Sequence, residues 1–268
     1  MGEDAIAEEL LSVLGTGRQI APPTSRESAF DLVAAYRVAR KIRDLREVRG
    51  ERPVGRKIGF TNRAAWADLK VSAPIWGYMY APTTHDLEPS ARASLAGLSE
   101  PRIEPEIVIG LAEPPTPDMD ESELARCVAW VAHGFEIVRT VYPGWKFLPA
   151  DAVAAFGMHG ALWLGPRHPF AERASEWTRE LPACEVELFR NSVVSERGRG
   201  ANVLDGPLAA LRALVAVLAA DTNNPPLAAG EIVTTGSLTR ATPIAPGEVW
   251  ETRMSGIALE GARLVLAA

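Results

Sequence analysis

The segment Pro101-Arg102-Ile103-Glu104-Pro105-Glu106-Ile107-Val108-Ile109-Gly110 constrains this chain more than any other. Its apolar β-formers predict a strand over Ile103–Leu111, and alternate side chains of a strand share a face. Glu104 and Glu106 therefore point one way, with Val108 and Gly110 beyond them, while Ile103, Ile107 and Ile109 point into a core. A fold that accepts this segment needs a sheet packed on one side. It must also accommodate two like charges stacked on the other. Such carboxylates repel and are costly to desolvate. Two outcomes resolve the conflict: an exposed strand face in water, or a divalent cation between the carboxylates.

A third carboxylate, Glu136, lies in a similar apolar run, Gly134-Phe135-Glu136-Ile137-Val138. Three carboxylates suit a hard cation such as Mg²⁺ or Mn²⁺, although spacing alone leaves Glu136 free to be unrelated to the pair. Gly55-Arg56-Lys57-Ile58-Gly59-Phe60-Thr61 places one Lys between small and apolar residues. Lys57 is either an edge-strand surface residue or a buried ammonium, and a buried one needs an anionic partner. His159, in Phe156-Gly157-Met158-His159-Gly160, is flanked by glycines that allow close backbone approach; an ordinary loop histidine fits as well. Thr234-Thr235-Gly236-Ser237 follows a good strand and offers N–H and hydroxyl groups to an anion, or forms a plain strand-end turn. Most of the seven Trp belong in a core. Trp76, in Pro74-Ile75-Trp76-Gly77, is instead a candidate for a pocket wall, as are Phe156 and Trp145.

The balance of 28 Lys+Arg against 34 Asp+Glu, a net charge of −6, argues against a nucleic-acid surface, which wants a basic stripe. It equally disfavours adhesion to anionic membranes. Cys127 and Cys184 are too few for a disulfide framework and read as small buried hydrophobes. The acidic amphipathic start lacks the features of a signal peptide, and no apolar run is expected to reach the roughly 20 residues of a membrane span. The expected location is cytoplasmic. Gly198-Arg199-Gly200 falls short of a dinucleotide fingerprint, and nucleophile signatures of the Ser-His-Asp or Cys-His kind are absent.

Helices are predicted over residues 3–14, with Ile6, Leu10, Leu11 and Leu14 on one stripe, and over Ser28–Val48, where Ser28 and Asp31 stand at capping-box spacing. The second helix sets Leu32, Ala35, Tyr36, Ala39 and Ile42 against a basic, solvated face of Arg37, Arg40, Lys41, Arg43 and Arg46. After Gly50 the pattern turns β-like: Val54–Thr61, Gly134–Thr140, Ala161–Gly165, Cys184–Phe189, Glu231–Thr235 and Ile257–Leu266. Helices interrupt it near Ser122–Val131 and over Pro207–Ala220, where Pro207 suits a first turn. The fold class is α+β: a helical N-terminal region, 1–52, packed on a β-rich domain, 53–268, as one continuous unit.

Six segments in order carry a resemblance: GRKIGFT at 55–61, PIWG at 74–77, PRIEPEI at 101–107, FEIV at 135–138, GRGANVLDGPLAAL at 198–211 and GEIVTTG at 230–236. Together they resemble the hydratase/decarboxylase branch of the fumarylacetoacetate hydrolase superfamily, from about Asp31 to the C-terminus. The resemblance implies a mixed β-sheet roll preceded by helices, commonly in homo-oligomers. It implies a metal triad at Glu104, Glu106 and Glu136, an active-site Lys at Lys57, and a pocket closed by Thr235 and Gly236. It implies a lyase that adds water to 2-hydroxy-2,4-dienoates of the 2-keto-4-pentenoate type, giving 4-hydroxy-2-keto acids in aromatic catabolism. Decarboxylation of 2-oxo-3-hexenedioate (4-oxalocrotonate), C–C hydrolysis of acylpyruvates and a metal-binding scaffold without catalysis are the alternatives. Three departures stand out. Ile75 occupies a place where hydratases usually carry Asp, Ala154-Ala155-Phe156 replaces Ala-Asp-Asn, and Asp205-Gly206-Pro207 replaces Gly-His-Pro. His159 is the expected substitute base for the missing Asp.

Overall fold

The computed structural model describes residues 2–268. The helices are α1 (Glu3–Val13), α2 (Leu32–Val48), α3 (Trp66–Leu69), α4 (Glu121–Arg126), α5 (Pro149–Ala154), α6 (Ala174–Ala183) and α7 (Pro207–Ala220). The strands are β1 (Pro53–Gly59), β2 (Ile75–Tyr80), β3 (Thr84–Asp86), β4 (Arg92–Ala93), β5 (Arg102–Leu111), β6 (Val128–Val138), β7 (His159–Leu164), β8 (His168–Pro169), β9 (Glu185–Arg190), β10 (Val193–Arg199), β11 (Ile232–Ser237), β12 (Thr242–Pro243), β13 (Val249–Ser255) and β14 (Arg263–Leu266). The main sheet runs β2-β1-β11-β5-β6-β7-β3, with β12 beside β5 and β8 beside β6. A second sheet runs β10-β9-β13-β14-β4. Strand pairing is antiparallel except β1/β11, β3/β7 and β14/β4. The mixed sheets and packed helices make an α+β fold.

Alternation in β5 sorts the two faces as its sequence demands. Ile107 and Ile109 bury against α7 through Leu208, Leu211, Leu214 and Leu218. Ile103, with Phe135 and Ile137 of β6, packs on Leu188, Trp250 and Leu264 of the second sheet. On the opposite face, Val108 joins Met79, Ala132 and Leu162 in a smaller cluster. The N-terminal helices do not stand apart. Ile6, Leu10, Leu11, Ala35, Val38 and Ile42 share a core with Ile75, Tyr142, Val153 and Phe156. Helices α1 and α2 thereby back the part of the molecule where β2 and α5 meet.

Several boundaries move from their predicted places. Helix α2 starts at Leu32, because the Asp31 carboxylate accepts from Ala34 N at 2.8 Å and caps it. The predicted helix over Ser122–Val131 ends at Arg126. Asp120 and Glu123 form a capping box for that short helix, and β6 already begins at Val128. Strand β13 was missed, and β14 covers only the end of the stretch predicted over Ile257–Leu266. Arg46 is buried, not solvated. Its guanidinium lies over Tyr80 at 3.5 Å and pairs with Glu51 at 2.5 Å. The expectation about apolar runs also fails, since the 21 residues Gly200–Ala220 contain an 18-residue window of mean hydropathy 1.8, long and apolar enough to cross a membrane by composition alone. In this fold its apolar side chains fill the core against the main sheet. Both cysteines are free and buried.

Candidate active site

Register brings the carboxylates together. Glu104 stands directly opposite Glu136 across the β5/β6 pair, and Glu106 opposite Gly134. Directly opposed like charges destabilise a sheet, so this arrangement needs a counterion. Carboxylate oxygens of Glu104, Glu106 and Glu136 lie within 4.8 Å of one another. Lys57 reaches them from β1, two strands from β5, with Nζ 3.3 Å from Glu136 Oε2. Lys57, Glu106 and Glu136 are buried, and Glu104 is half-buried on the pocket side.

The charges perturb one another strongly. Burial lifts Glu104 to about 7 against the pull of Lys57, and the charge on Glu136 adds to the rise. Burial, then Glu136 and Glu104, push Glu106 well above the usual carboxylate range. Burial acts against ionised Glu136 too, but Lys57 and a hydrogen bond from His159 outweigh it and hold it low. Lys57 is disfavoured by burial, yet the three carboxylates keep it charged, above its ordinary value. One Lys cannot balance three buried carboxylates. Glu106 Oε1 is buried without a hydrogen-bond partner, and Glu136 Oε2 has only the ion pair to Lys57. Hard oxygen donors in a cluster, with an unused buried oxygen on Glu106, fit a divalent cation.

Two features of the backbone fix the triad. The first is an irregularity in β11 between Thr234 and Ser237 that turns the Gly236 N–H onto Glu106 Oε2 at 2.7 Å. Gly236 has φ of 105°, and a Cβ there would stand 2.2 Å from Thr61 Oγ1, so only glycine fits. The second is His133. Its Nδ1 bonds the Glu106 carbonyl at 3.0 Å and its Nε2 the Thr252 hydroxyl at 2.8 Å, tying β6 to β5 and to the second sheet. Thr252 Oγ1 also accepts from Ala262 N, so its own proton goes to Nε2 and the His133 Nδ1–H donates to Glu106.

The cluster opens on a cavity of about 470 Å³ whose wall includes Lys57 and Glu104 and is otherwise largely apolar, with Phe60, Leu69, Ile75, Val138, Phe147 and Met158 among its lining. Phe60, Trp145 and Met158 all have positive φ (59°, 58° and 65°), so turns in sparsely populated conformations aim part of this wall.

The predicted site residues divide. Glu104, Glu106, Glu136 and Lys57 converge. His159 does not reach the cavity wall. It sits behind Glu136, with Nδ1 2.8 Å from Glu136 Oε1 and Nε2 3.0 Å from Thr83 Oγ1. Burial lowers its pKa against the opposing Glu136 hydrogen bond. Nδ1–H donates to the carboxylate, and Nε2 faces the Thr83 hydroxyl, which also reaches the Tyr80 carbonyl at 3.0 Å. With both nitrogens engaged, His159 orients Glu136 and has no free nitrogen to act as a base toward the cavity. Trp76 also faces away from the cavity. Ile75 and Trp76 are neighbours on β2, so when Ile75 lines the cavity, Trp76 must point to the α7 core, where it stacks on Tyr36 at 5.0 Å. Phe156 packs under Arg139, 5.0 Å away, and leaves the cavity wall to Gly157 and Met158. Thr235 spends its hydroxyl on the Ile107 carbonyl at 3.0 Å, and Gly236 contributes through its N–H alone. Trp145 does line the cavity. Arg102, Asn62, Phe147, Ser237 and Arg240 were missed. For Arg102 the signal was present, since strand alternation places it on the face of Glu104 and Glu106.

A 2-keto-4-pentenoate hydratase of Burkholderia vietnamiensis is 32% identical over 236 residues, covering 87% of this chain and 86% of that protein. The chain belongs to the hydratase/decarboxylase branch of the fumarylacetoacetate hydrolase superfamily. A second member of the branch, a 2-hydroxyhexa-2,4-dienoate hydratase of Comamonas testosteroni, is 29% identical over 251 residues, 93% of this chain and 92% of that protein. Among solved structures, 4-oxalocrotonate decarboxylase from Pseudomonas putida G7, complexed with magnesium and adipate, superposes with a TM-score of 0.90 at 26% identity, covering 98% and 97% of the two chains. No protein-family model matches the chain. Branch membership makes this chain a lyase.

Proposed function

We propose that this chain is a divalent-metal-dependent hydratase that adds water to a 2-hydroxy-2,4-dienoate to give a 4-hydroxy-2-keto acid. The observation that carries the reading is the convergence of Lys57 with three carboxylates at the mouth of an otherwise largely apolar cavity. Glu104, Glu106 and Glu136 would hold Mg²⁺ or Mn²⁺. When bound, such an ion supplies Lewis acidity toward the carboxylate and 2-oxygen of the substrate. Lys57 sets an ammonium where negative charge develops on the 2-oxygen as its proton leaves, and its charge is secured by Glu136. Ketonisation then moves a proton to C5, and water adds at C4. Phe60, Ile75, Val138 and Met158 exclude bulk water from the diene. His159 fixes the carboxylate of Glu136, and the Gly236 N–H fixes that of Glu106.

The second reading, decarboxylation of a 2-oxo-3-enedioate, is favoured by Ile75. It presents a hydrocarbon where an acid would serve water addition, and Lys57, Glu104, Arg102 and Arg240 are the titratable groups on the cavity wall. A small soluble keto acid as partner, a cytoplasmic location and a homo-oligomeric state complete the proposal. The deciding experiment incubates the protein and Mg²⁺ with 2-hydroxypenta-2,4-dienoate and, separately, with 2-oxo-3-hexenedioate, following chromophore loss and product mass. A gain of water, abolished by EDTA and by Glu106→Gln, is the expected result. Loss of CO₂ from the diacid without hydration establishes the decarboxylase instead. No turnover of either with metal bound refutes both.

A further inference from the structure

Lys57 and Gly77 stand directly opposite each other across the β1/β2 pair, so their Cβ positions share a face. The missing side chain of Gly77 leaves a gap beside the Lys57 stem, and the backbone of residues 156–158 fills it. A Cβ on Gly77 would stand 2.6 Å from the Phe156 carbonyl oxygen. One on Gly157 would stand 3.1 Å from the Gly77 Cα and 3.1 Å from Lys57 Cδ. Neither position takes a methyl group without a shift. Gly157 also lines the cavity, as Lys57 does.

Phe156, Gly157 and Met158 have φ of 63°, 59° and 65°. L-residues visit this region singly, and two of these three are bulky. Such a turn persists only where its surroundings impose it. Here the Phe156 side chain is buried in the core that α1, α2 and α5 share. The Met158 carbonyl accepts from Arg139 N at 2.9 Å, which ties the other end of the turn to the end of β6. Strand β7 begins at the next residue, His159. One turn therefore adjoins both groups that hold Glu136: Lys57, 3.3 Å from Oε2, and His159, 2.8 Å from Oε1.

We infer that Gly157 is a positioning residue: its bare Cα, pressed against Gly77 and the aliphatic stem of Lys57, fixes the direction of that stem and so the place of the ammonium. The inference rests on the role proposed for Lys57, a positive charge facing the 2-oxygen of the substrate. A lysine ammonium rides on a flexible stem, and a reacting geometry displaced by about 1 Å loses much of its rate. A stem walled by backbone holds its charge in place before the substrate arrives, which is what electrostatic stabilisation requires. Gly157 touches no reacting atom in this scheme and acts through Lys57.

Two unreactive acids, oxalate and 2-oxobutanoate, read the position of the ammonium apart from turnover. Each offers a carboxylate and a neighbouring oxygen. In oxalate that oxygen carries negative charge, as the 2-oxygen does when its proton leaves. Calorimetry with the Mg²⁺-loaded protein gives the ratio of the two affinities. Lys57→Met is expected to lower the ratio by about 10- to 100-fold, the value of one buried charge-assisted contact. Gly157→Ala is expected to lower it by about tenfold, and the double variant no further than Lys57→Met alone. Gly157→Asn tolerates a positive φ but restores a Cβ beside Lys57. It is expected to match Gly157→Ala, and it replaces that variant if the alanine does not fold. Gly247→Ala strains a φ of 84° with nothing within 4 Å, and is expected to lower the melting temperature with the ratio intact. An unchanged ratio in Gly157→Ala, its recovery in Gly157→Asn, or fully additive effects in the double variant overturns the inference. An unchanged ratio in Lys57→Met overturns the role of Lys57 itself, and the inference with it.

Discussion

His133 gives the sharpest test of how the site is held. It is buried between the two sheets, with Nδ1–H on the Glu106 carbonyl and Nε2 on the Thr252 hydroxyl. Burial drives its pKa from 6.5 down to about 4, against a small opposing effect of the hydrogen bond to Glu106. A neutral ring satisfies both partners, whereas a protonated one would place an unpaired charge in the interior. The unfolded chain binds a proton near pH 6.5 and the folded chain does not until about pH 4. Between those values the unfolded state carries more protons, so stability rises with pH. The contribution is fully present above pH 6.5 and is lost as the pH falls toward 4. From pH 7.5 to pH 5 the loss is about 2 kcal/mol, and it approaches about 3 kcal/mol near pH 4. His133→Gln keeps one donor and one acceptor but does not titrate. It should be less stable than wild type at pH 7.5, and the gap should narrow by about 2 kcal/mol at pH 5. Urea unfolding of the metal-free proteins at both pH values, monitored by Trp fluorescence, measures this directly. Parallel pH dependences for the two proteins would refute the assignment of a neutral, proton-excluding His133.

Three further outcomes follow from the same geometry. Glu104→Gln should weaken Mg²⁺ binding yet stabilise the metal-free protein at pH 8. The raised pKa of Glu104 makes wild type lose stability as pH rises from 4.5 through about 7, and calorimetry with urea melts would detect both changes. Lys57→Met should lower kcat by about 10²- to 10³-fold while Mg²⁺ still binds, because charge stabilisation is lost and the triad is not; a large loss of metal affinity in titration would contradict that division of labour. Gly236→Ala should be destabilising by about 2 kcal/mol or more, since it strains a positive φ and drives a methyl into Thr61. A melting temperature equal to wild type would show that the loop simply moves.

Much of the main sheet was legible because local rules govern it. Period-two alternation in residues 101–110 placed Glu104 and Glu106 on one face, and the apolar stripe of α1 and the run of α7 marked core helices. The same alternation should have separated Ile75 from Trp76: two neighbours on a strand cannot both face a pocket. The helix boundaries moved where a competing signal won. Asp31 outcompeted Ser28 as the cap of α2, and the capping box of Asp120 and Glu123 fixed where α4 starts, while the pairing of β6 with β5 from Val128 ended it at Arg126. Arg46 read as solvated because helical periodicity cannot see Tyr80 arriving from another element to cover its guanidinium.

The chain's local chemistry dictated which residues could bear charge, which faces were apolar and where strands could form. It did not dictate that Glu136, thirty residues beyond Glu106, would stand opposite Glu104, because register is a property of two strands and of the bulges that shift them. Nor could it assign His159. The same side chain is a base if it faces the cavity and a brace if it stands behind Glu136, and only the packing of β7 against β6 chose between them. The cavity wall depended on long-range contact as well, since Phe60, Trp145 and Met158 adopt costly positive φ angles that only surrounding structure can impose.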